Sequence, residues 1–285
     1  MVAITLDGEL AATELKENLK QRIAKLAELS VIPGLGTILV GDDGPSKNYI
    51  SMKHRDCKEL GMHSQEITLP ADTSQHEIIE AVEAFNHDPQ IHAFIIQYPF
   101  PDGLDYESAL LEVLPHKDAD GLHPINLGRL VQGINAPLAC TPAGIQLLLE
   151  RFDVPISGQH VVIIGRGLTI GRPLANLLAL KRSNANAAVT VIHTGVKNLA
   201  DYTRQADIII AAAGSPGMIT ADMVKPGAAV VAAGVSFDGK KLLSDVSDEV
   251  EEVAGWLSPR IGGVGPMTRA LLMQNTVSAA ELASS

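Results

Sequence analysis

A chain of 285 residues, 46% hydrophobic and 19% charged, can bury a sizeable core in one large or two ordinary domains. Its 22 basic and 33 acidic residues leave a formal net charge of −11, which argues against nucleic acid or an anionic membrane as a partner. Its two cysteines, Cys57 and Cys140, form no metal-type pair, so no metal site is expected and reduced thiols in a cytosolic protein are.

Met1 to Asp7 carries no basic segment, and nowhere do about 18 uncharged apolar residues run together, so neither a signal peptide nor a membrane span is expected. After a short first strand, Gly8 to Leu29 places Ala12, Leu15, Leu19, Ile23 and Leu26 at helical spacing. Strands are predicted at 35–40, 65–69 and 92–96, with helices over 46–60 and 74–86 between them. In the first of these helices Ser46 is the expected N-cap and Gly61 the stop. Alternating strands and helices predict a mostly parallel sheet covered on both faces.

Residues 115–140 collect Pro115, Gly121, Pro124, Gly128, Gly133 and Pro137, and read as a loop-rich passage that ends the first domain. Thr141-Pro142 then predicts an N-cap and a proline at the first helical position, opening a helix to about Arg151. From Gly158 the alternation restarts, with strands at 160–164, 188–192, 207–212 and 228–233 and helices at 171–181 and near 198–204. A last helix, from Pro266 to Ala283, is expected to pack back on the first domain. The expected fold class is α/β, with two α/β domains flanking a cleft. Residues 1–140, completed by 266–285, form the first domain; residues 141–265 form a second, Rossmann-like one.

Two stretches carry chemistry. Ser46, Tyr49 and Lys53 fall at i, i+3 and i+7 on one helical stripe just after a strand, where open α/β sheets keep their sites. A helix bearing Tyr and Lys is also an ordinary solvated face, so this stripe alone decides nothing. The second stretch is His160–Ile164 leading into Gly165-Arg166-Gly167-Leu168-Thr169-Ile170-Gly171 and an apolar helix. Glycines there let the backbone approach a pyrophosphate at the positive helix end, although tight strand–helix packing needs glycine as well. The next strand ends in His193-Thr194 without the acidic residue that would bond ribose hydroxyls. With Arg166 in the glycine loop, this favours NADP over NAD. His193 could also serve only to cap its strand.

Beyond these, the motifs Val40-Gly41-Asp42-Asp43, Ile96-Gln97-Tyr98-Pro99-Phe100-Pro101, Lys117 to Pro124, Cys140-Thr141-Pro142-Ala143-Gly144 and Gly262 to Thr268 stand in one order along nearly the whole chain. In these it resembles the bifunctional methylenetetrahydrofolate dehydrogenase/methenyltetrahydrofolate cyclohydrolase family of the bacterial FolD type. The resemblance implies that Lys53 is the catalytic lysine, Gln97 the amide that positions it, Tyr49 the ring that stacks along the folate aminobenzoate, and Asp120 the carboxylate that bonds the pterin. It makes Pro99 and the turn from Gly263 to Pro266 substrate-cleft walls. Gly165, Arg166, Gly167, His193 and Thr194 become cofactor contacts around the adenosine phosphates, and Val235 a contact nearer the nicotinamide. It also implies a homodimer.

The chemistry suits these residues. A carboxylate can accept from the pterin's amino and ring N–H groups together. A lysine works near neutral pH only where its surroundings favour the neutral amine. Departures from the family pattern are Gly167 for a serine, Ala232 for an aspartate, Ala139 for a proline, and Arg260-Ile261 for Val-Pro. Two other readings stay open at this level: an NADP enzyme of the same plan, such as a shikimate-type dehydrogenase, and a non-catalytic folate or nucleotide sensor.

Overall fold

The structure is a computed structural model that describes residues 2–238 and 241–284, without the side chains of Val235, Phe237, Asp238 and Lys241. In chain order its elements are β1 (Ile4–Thr5), α1 (Gly8–Glu28), β2 (Gly34–Val40), α2 (Gly44–Leu60), β3 (His63–Leu69), α3 (Gln75–His87), β4 (Ala93–Ile96), α4 (Tyr106–Leu111), α5 (Pro124–Gln132) and α6 (Cys140–Arg151). They continue with β5 (His160–Ile164), α7 (Gly171–Ala179), β6 (Ala188–Ile192), α8 (Ala200–Thr203), β7 (Ile208–Ala211), β8 (Ala229–Ala232), β9 (Val235–Asp238), β10 (Lys241–Ser244), β11 (Trp256–Leu257) and α9 (Val264–Ala283).

The chain divides into two compact units. One comprises residues 14–138 and 269–285, the other 1–13 and 139–268. The expected split at residue 140 therefore misplaces the chain's start. β1 pairs in parallel with β11, Ile4 opposite Trp256, at the edge of the second unit's sheet. A two-residue strand shows no periodicity from which its sheet could be read.

In the unit of residues 14–138 the sheet is parallel, in the order β3-β2-β4. All seven residues of the central strand β2 are buried, as its unbroken apolar run requires. Ile38, Val40, Phe94 and Ile96 from the sheet pack with Ile78, Val82 and Phe85 of α3, and the Phe85 and Phe94 rings lie 5.5 Å apart. Ser74 and Glu77 close a capping box at the start of α3. Helix α2 starts earlier than expected: Asp43 is its N-cap and accepts from the Ser46 N–H at 2.9 Å, so Ser46 lies inside the helix. Gly61 ends α2 in the left-handed conformation, φ 72°, and its N–H bonds the Cys57 and Lys58 carbonyls.

The passage 115–140 is not all loop, because it contains α5. Pro124 stands at its first turn and Gly133 ends it at φ 70°, while the His123 ring accepts from the Ile125 N–H. Two of the residues that suggested a loop, Pro124 and Gly133, are the helix's own delimiters.

In the other unit six strands run in the order β1-β11-β8-β7-β5-β6, all parallel. This is the expected Rossmann-like arrangement, with the direction of winding reversing beside β5. β9 and β10 form an antiparallel hairpin outside that sheet. Thr141 is not a helix cap: α6 begins at Cys140 behind Ala139 with no side-chain cap, and the Thr141 hydroxyl meets that of Thr268 at 3.0 Å. Helices α7 and α8 are shorter than expected and end at Ala179 and Thr203.

Candidate active site and nucleotide loop

The carboxyl ends of neighbouring strands assemble the first site. β2 runs through Gly41 into α2, which carries Tyr49 and Lys53. β4 beside it runs into Gln97, whose N–H bonds the Ile38 carbonyl at 2.8 Å. Asp118 bridges in parallel to Phe94, so residues 118–120 extend the same edge beyond β4. Parallel strands deliver side chains from different chain segments to one edge, which brings Lys53, Gln97 and Asp120 to the same end of the sheet.

Lys53 is only 8% exposed. Its Nζ donates to Gln97 Oε1 at 3.0 Å, and the Gln97 amide donates to the Tyr98 carbonyl at 2.7 Å, fixing which end of the amide faces the lysine. Tyr49, one turn earlier on α2, is 44% exposed and lies with its ring 5.7 Å from Nζ. Ser46 is buried on the same stripe. Pro99 follows Tyr98 through a cis peptide bond and is exposed. Burial raises the Asp120 carboxyl above the ordinary carboxylate range, with the Lys53 charge opposing that and Asp118 adding to it. Tyr106 packs edge-on against Tyr98 and Phe100, and burial first, then the charges of Asp120 and Asp118, push its phenol up.

Three supports were not assigned from sequence. Asp118, buried, accepts from the Gly121 N–H at 2.9 Å, the His123 N–H at 2.8 Å and the Asn126 amide at 2.9 Å, which shapes the turn that holds Asp120. Its signal was an aspartate three residues before a glycine, here at φ 70°. Asn275 donates to the Ala119 and Leu138 carbonyls, and no local pattern announces such a long-range bond. Asp56, three residues after Lys53, is pinned by Lys16 at 2.7 Å and Arg269 at 2.9 Å. Cys57 is buried, and that burial pushes its thiol up to about 12, which leaves it unreactive near neutral pH.

The second site is the loop after β5. Gly165 stands at φ 132°, and a Cβ there would fall 2.2 Å from the Ala212 carbonyl oxygen; one on Gly171 would fall 2.0 Å from the Gly165 carbonyl oxygen. Both glycines are therefore required by backbone packing. Gly167 is open: among the described residues beyond its chain neighbours, only the Thr169 hydroxyl lies within 4.0 Å of where a Cβ would stand, so the backbone is bare where a phosphate would approach. Arg166 beside it is exposed. After β6 the His193 ring accepts from the Gly195 N–H at 3.1 Å, so it does cap its turn, and Thr194 is exposed. This bare glycine cradle at the start of a helix fits the pyrophosphate of a dinucleotide, with a cation in place of an acid for an extra phosphate.

Val235 opens β9, and its side chain lies outside the described residues. Gly263 and Pro266 belong to this unit, not to that of Lys53. Gly263 is packed so that a Cβ would fall 2.4 Å from the Pro259 carbonyl oxygen, and Pro266 is buried in the first turn of α9. Among the described residues no helix is long and apolar enough to cross a membrane.

A parallel sheet with a glycine cradle, in a chain whose other sheet carries a lysine–amide pair and a desolvated carboxylate, defines a dinucleotide-dependent α/β enzyme. Residues 6–120 match the catalytic-domain model of tetrahydrofolate dehydrogenase/cyclohydrolase, and residues 139–284 match its NAD(P)-binding domain. The chain belongs to the tetrahydrofolate dehydrogenase/cyclohydrolase family. It is 53% identical over 281 residues to the bifunctional protein FolD of Syntrophotalea carbinolica, covering 99% of this chain and 97% of that one. The crystal structure of the bifunctional FolD of Campylobacter jejuni has a TM-score of 0.95 at 38% identity, over 99% of both chains. The Trypanosoma brucei FolD, solved with NADP cofactor and an inhibitor, has a TM-score of 0.93 at 33% identity, also over 99% of both.

Proposed function

We infer that this chain oxidises 5,10-methylenetetrahydrofolate to the 5,10-methenyl form with NADP, then hydrolyses that product to 10-formyltetrahydrofolate. NADP, when bound, supplies the hydride acceptor. The single observation that carries the reading is the buried Lys53 ammonium held on Gln97 at the same strand ends as Asp120, in a chain with the glycine cradle.

Asp120 accepts from the amino and ring N–H groups of the pterin; its desolvated carboxyl gains by meeting donors. Tyr49 lies along the aminobenzoate and Pro99 walls the folate, the wall role that the resemblance also gives to Gly263 and Pro266. Gly165, Arg166, Gly167, His193, Thr194 and Val235 hold the cofactor, with Arg166 on the extra phosphate. For the oxidation, positioning is the chain's contribution, because the folate nitrogens themselves expel the hydride.

Hydrolysis adds water to the methenyl carbon and breaks one carbon–nitrogen bond. One proton leaves the water and another reaches the departing nitrogen. Lys53 Nζ moves that proton. Gln97 Oε1 accepts from either the ammonium or the amine, so it keeps Nζ in line in both states. The protein works in the cytoplasm, as its two distant cysteines suggest, and as a homodimer, as the family resemblance implies; its net charge of −11 speaks against nucleic acid or an anionic membrane as partner.

An absorbance assay of methylenetetrahydrofolate oxidation, run with NADP and NAD in parallel, tests this. No NADP-dependent change would overturn it. Arg166→Ala is expected to weaken NADP about tenfold or more while sparing NAD. Equal loss for both nucleotides would remove Arg166 from the extra phosphate.

A further inference from the structure

Asp245 follows β10 and is completely buried. Its Oδ2 accepts from the Ala213 N–H at 2.8 Å and the Gly214 N–H at 2.9 Å, in the turn that leaves β7. The same oxygen abuts the turn that leaves β8, where a Cβ on Gly234 would fall 1.9 Å from it. Oδ1 has no hydrogen-bond partner among the described residues. One carboxylate thus lies against the carboxyl-terminal turns of two adjacent parallel strands. Ser236 braces the first of these turns independently, its hydroxyl donating to the Gly214 carbonyl at 2.9 Å. Ala212, where that turn starts, is the residue against which Gly165 packs.

In a sheet of this order a dinucleotide lies across the point where winding reverses, with one half on each side of β5. Arg166 and the β6 end, with His193 and Thr194, mark the phosphate-rich half. The nicotinamide half then falls over the ends of β7 and β8, where Asp245 is. The oxidised nicotinamide is a cation and the reduced one is neutral, so a fixed carboxylate acts on the first and not on the second. A buried carboxylate with an unsatisfied oxygen is also costly to maintain unless something else uses its charge.

We propose that Asp245 is a positioning residue that seats the nicotinamide half through the Ala213–Gly214 turn, and that its charge makes this site hold NADP+ more tightly than NADPH. The inference rests on the cofactor assignment above and adds a preference for one redox state. A site of this kind eases release of the reduced product, while it makes the bound nucleotide a weaker hydride acceptor.

Calorimetric titration of the purified full chain with NADP+ and with NADPH separately tests it. Asp245→Asn is expected to weaken NADP+ about tenfold and NADPH by less than about twofold. Ser236→Ala, which removes a neutral brace from the same turn, is expected to change both by one factor. Loss of both forms by the same factor in Asp245→Asn would reduce the residue to structural support and overturn the proposal. Should circular dichroism show Asp245→Asn unfolded, Asp245→Glu replaces it: with the charge kept, the wild-type ratio of affinities must persist, and a collapsed ratio overturns the idea. Failure of the wild-type chain to bind either form would instead overturn the cofactor assignment, and the proposal with it.

Discussion

Replacing Lys53 by methionine is expected to cut methenyl hydrolysis about a hundredfold to ten-thousandfold, the span typical of losing a positioned proton-transfer group. Methionine keeps the length and the apolar body of the stem. The buried stripe of α2 stays filled and only the amine is lost. NADP binding should be unchanged, because the glycine cradle and Arg166 belong to a different unit of the chain. Rates of methenyl disappearance, alongside NADP titration of the same preparation, measure both halves of the prediction. Hydrolysis that survives in Lys53→Met would deny the lysine its proton-transfer role and leave Gln97 with nothing to position.

The second large effect is expected at Asp118, a residue that touches no ligand in this reading. Asp118→Ala strips the acceptor from three buried donors: the Gly121 and His123 N–H groups and the Asn126 amide. Asn126 Oδ1 already lacks a partner among the described residues, so little around it can compensate. Unpaired buried donors cost about 1 to 3 kcal/mol each, and the sum after relaxation is expected to be about 3 to 5 kcal/mol. Thermal denaturation followed by circular dichroism should show the loss. Folate affinity should fall as well, since the turn that aims Asp120 loses its template. Asp118→Asn keeps one acceptor oxygen and should lie between the two. A wild-type melting curve for Asp118→Ala would mean that water satisfies those groups.

Much of this architecture was legible in the residues. β2 and the strand–glycine–helix passage at β5 could be read directly, because buried parallel strands are continuous apolar runs and the glycines mark close backbone approach. The stripe of Tyr49 and Lys53 was fixed by helical period alone. Errors gathered where two local signals competed. Asp43 and Ser46 can each cap a helix; Asp43 wins because Pro45 already fits the first turn. Pro124 and Gly133 look like loop punctuation although together they bracket α5, and the intervening Gly128 masks the apolar face. What sequence could not supply was long-range pairing: β1 with β11, Asn275 with Ala119, Asp245 with the turn at Ala213. Each joins segments more than thirty positions apart by a bond that leaves no periodic trace.

The pairing of Ile4 with Trp256, and of Asn275 with the backbone beside Asp120, has a consequence for synthesis. As the ribosome extends the chain from its amino end, β1 must wait until Trp256 and Leu257 are made before its neighbour exists. The lysine-bearing unit likewise lacks the Asn275 buttress until α9 emerges. Proton-transfer competence should therefore arise only once α9 has emerged, and a nascent chain stalled before α9 would be an incomplete catalyst.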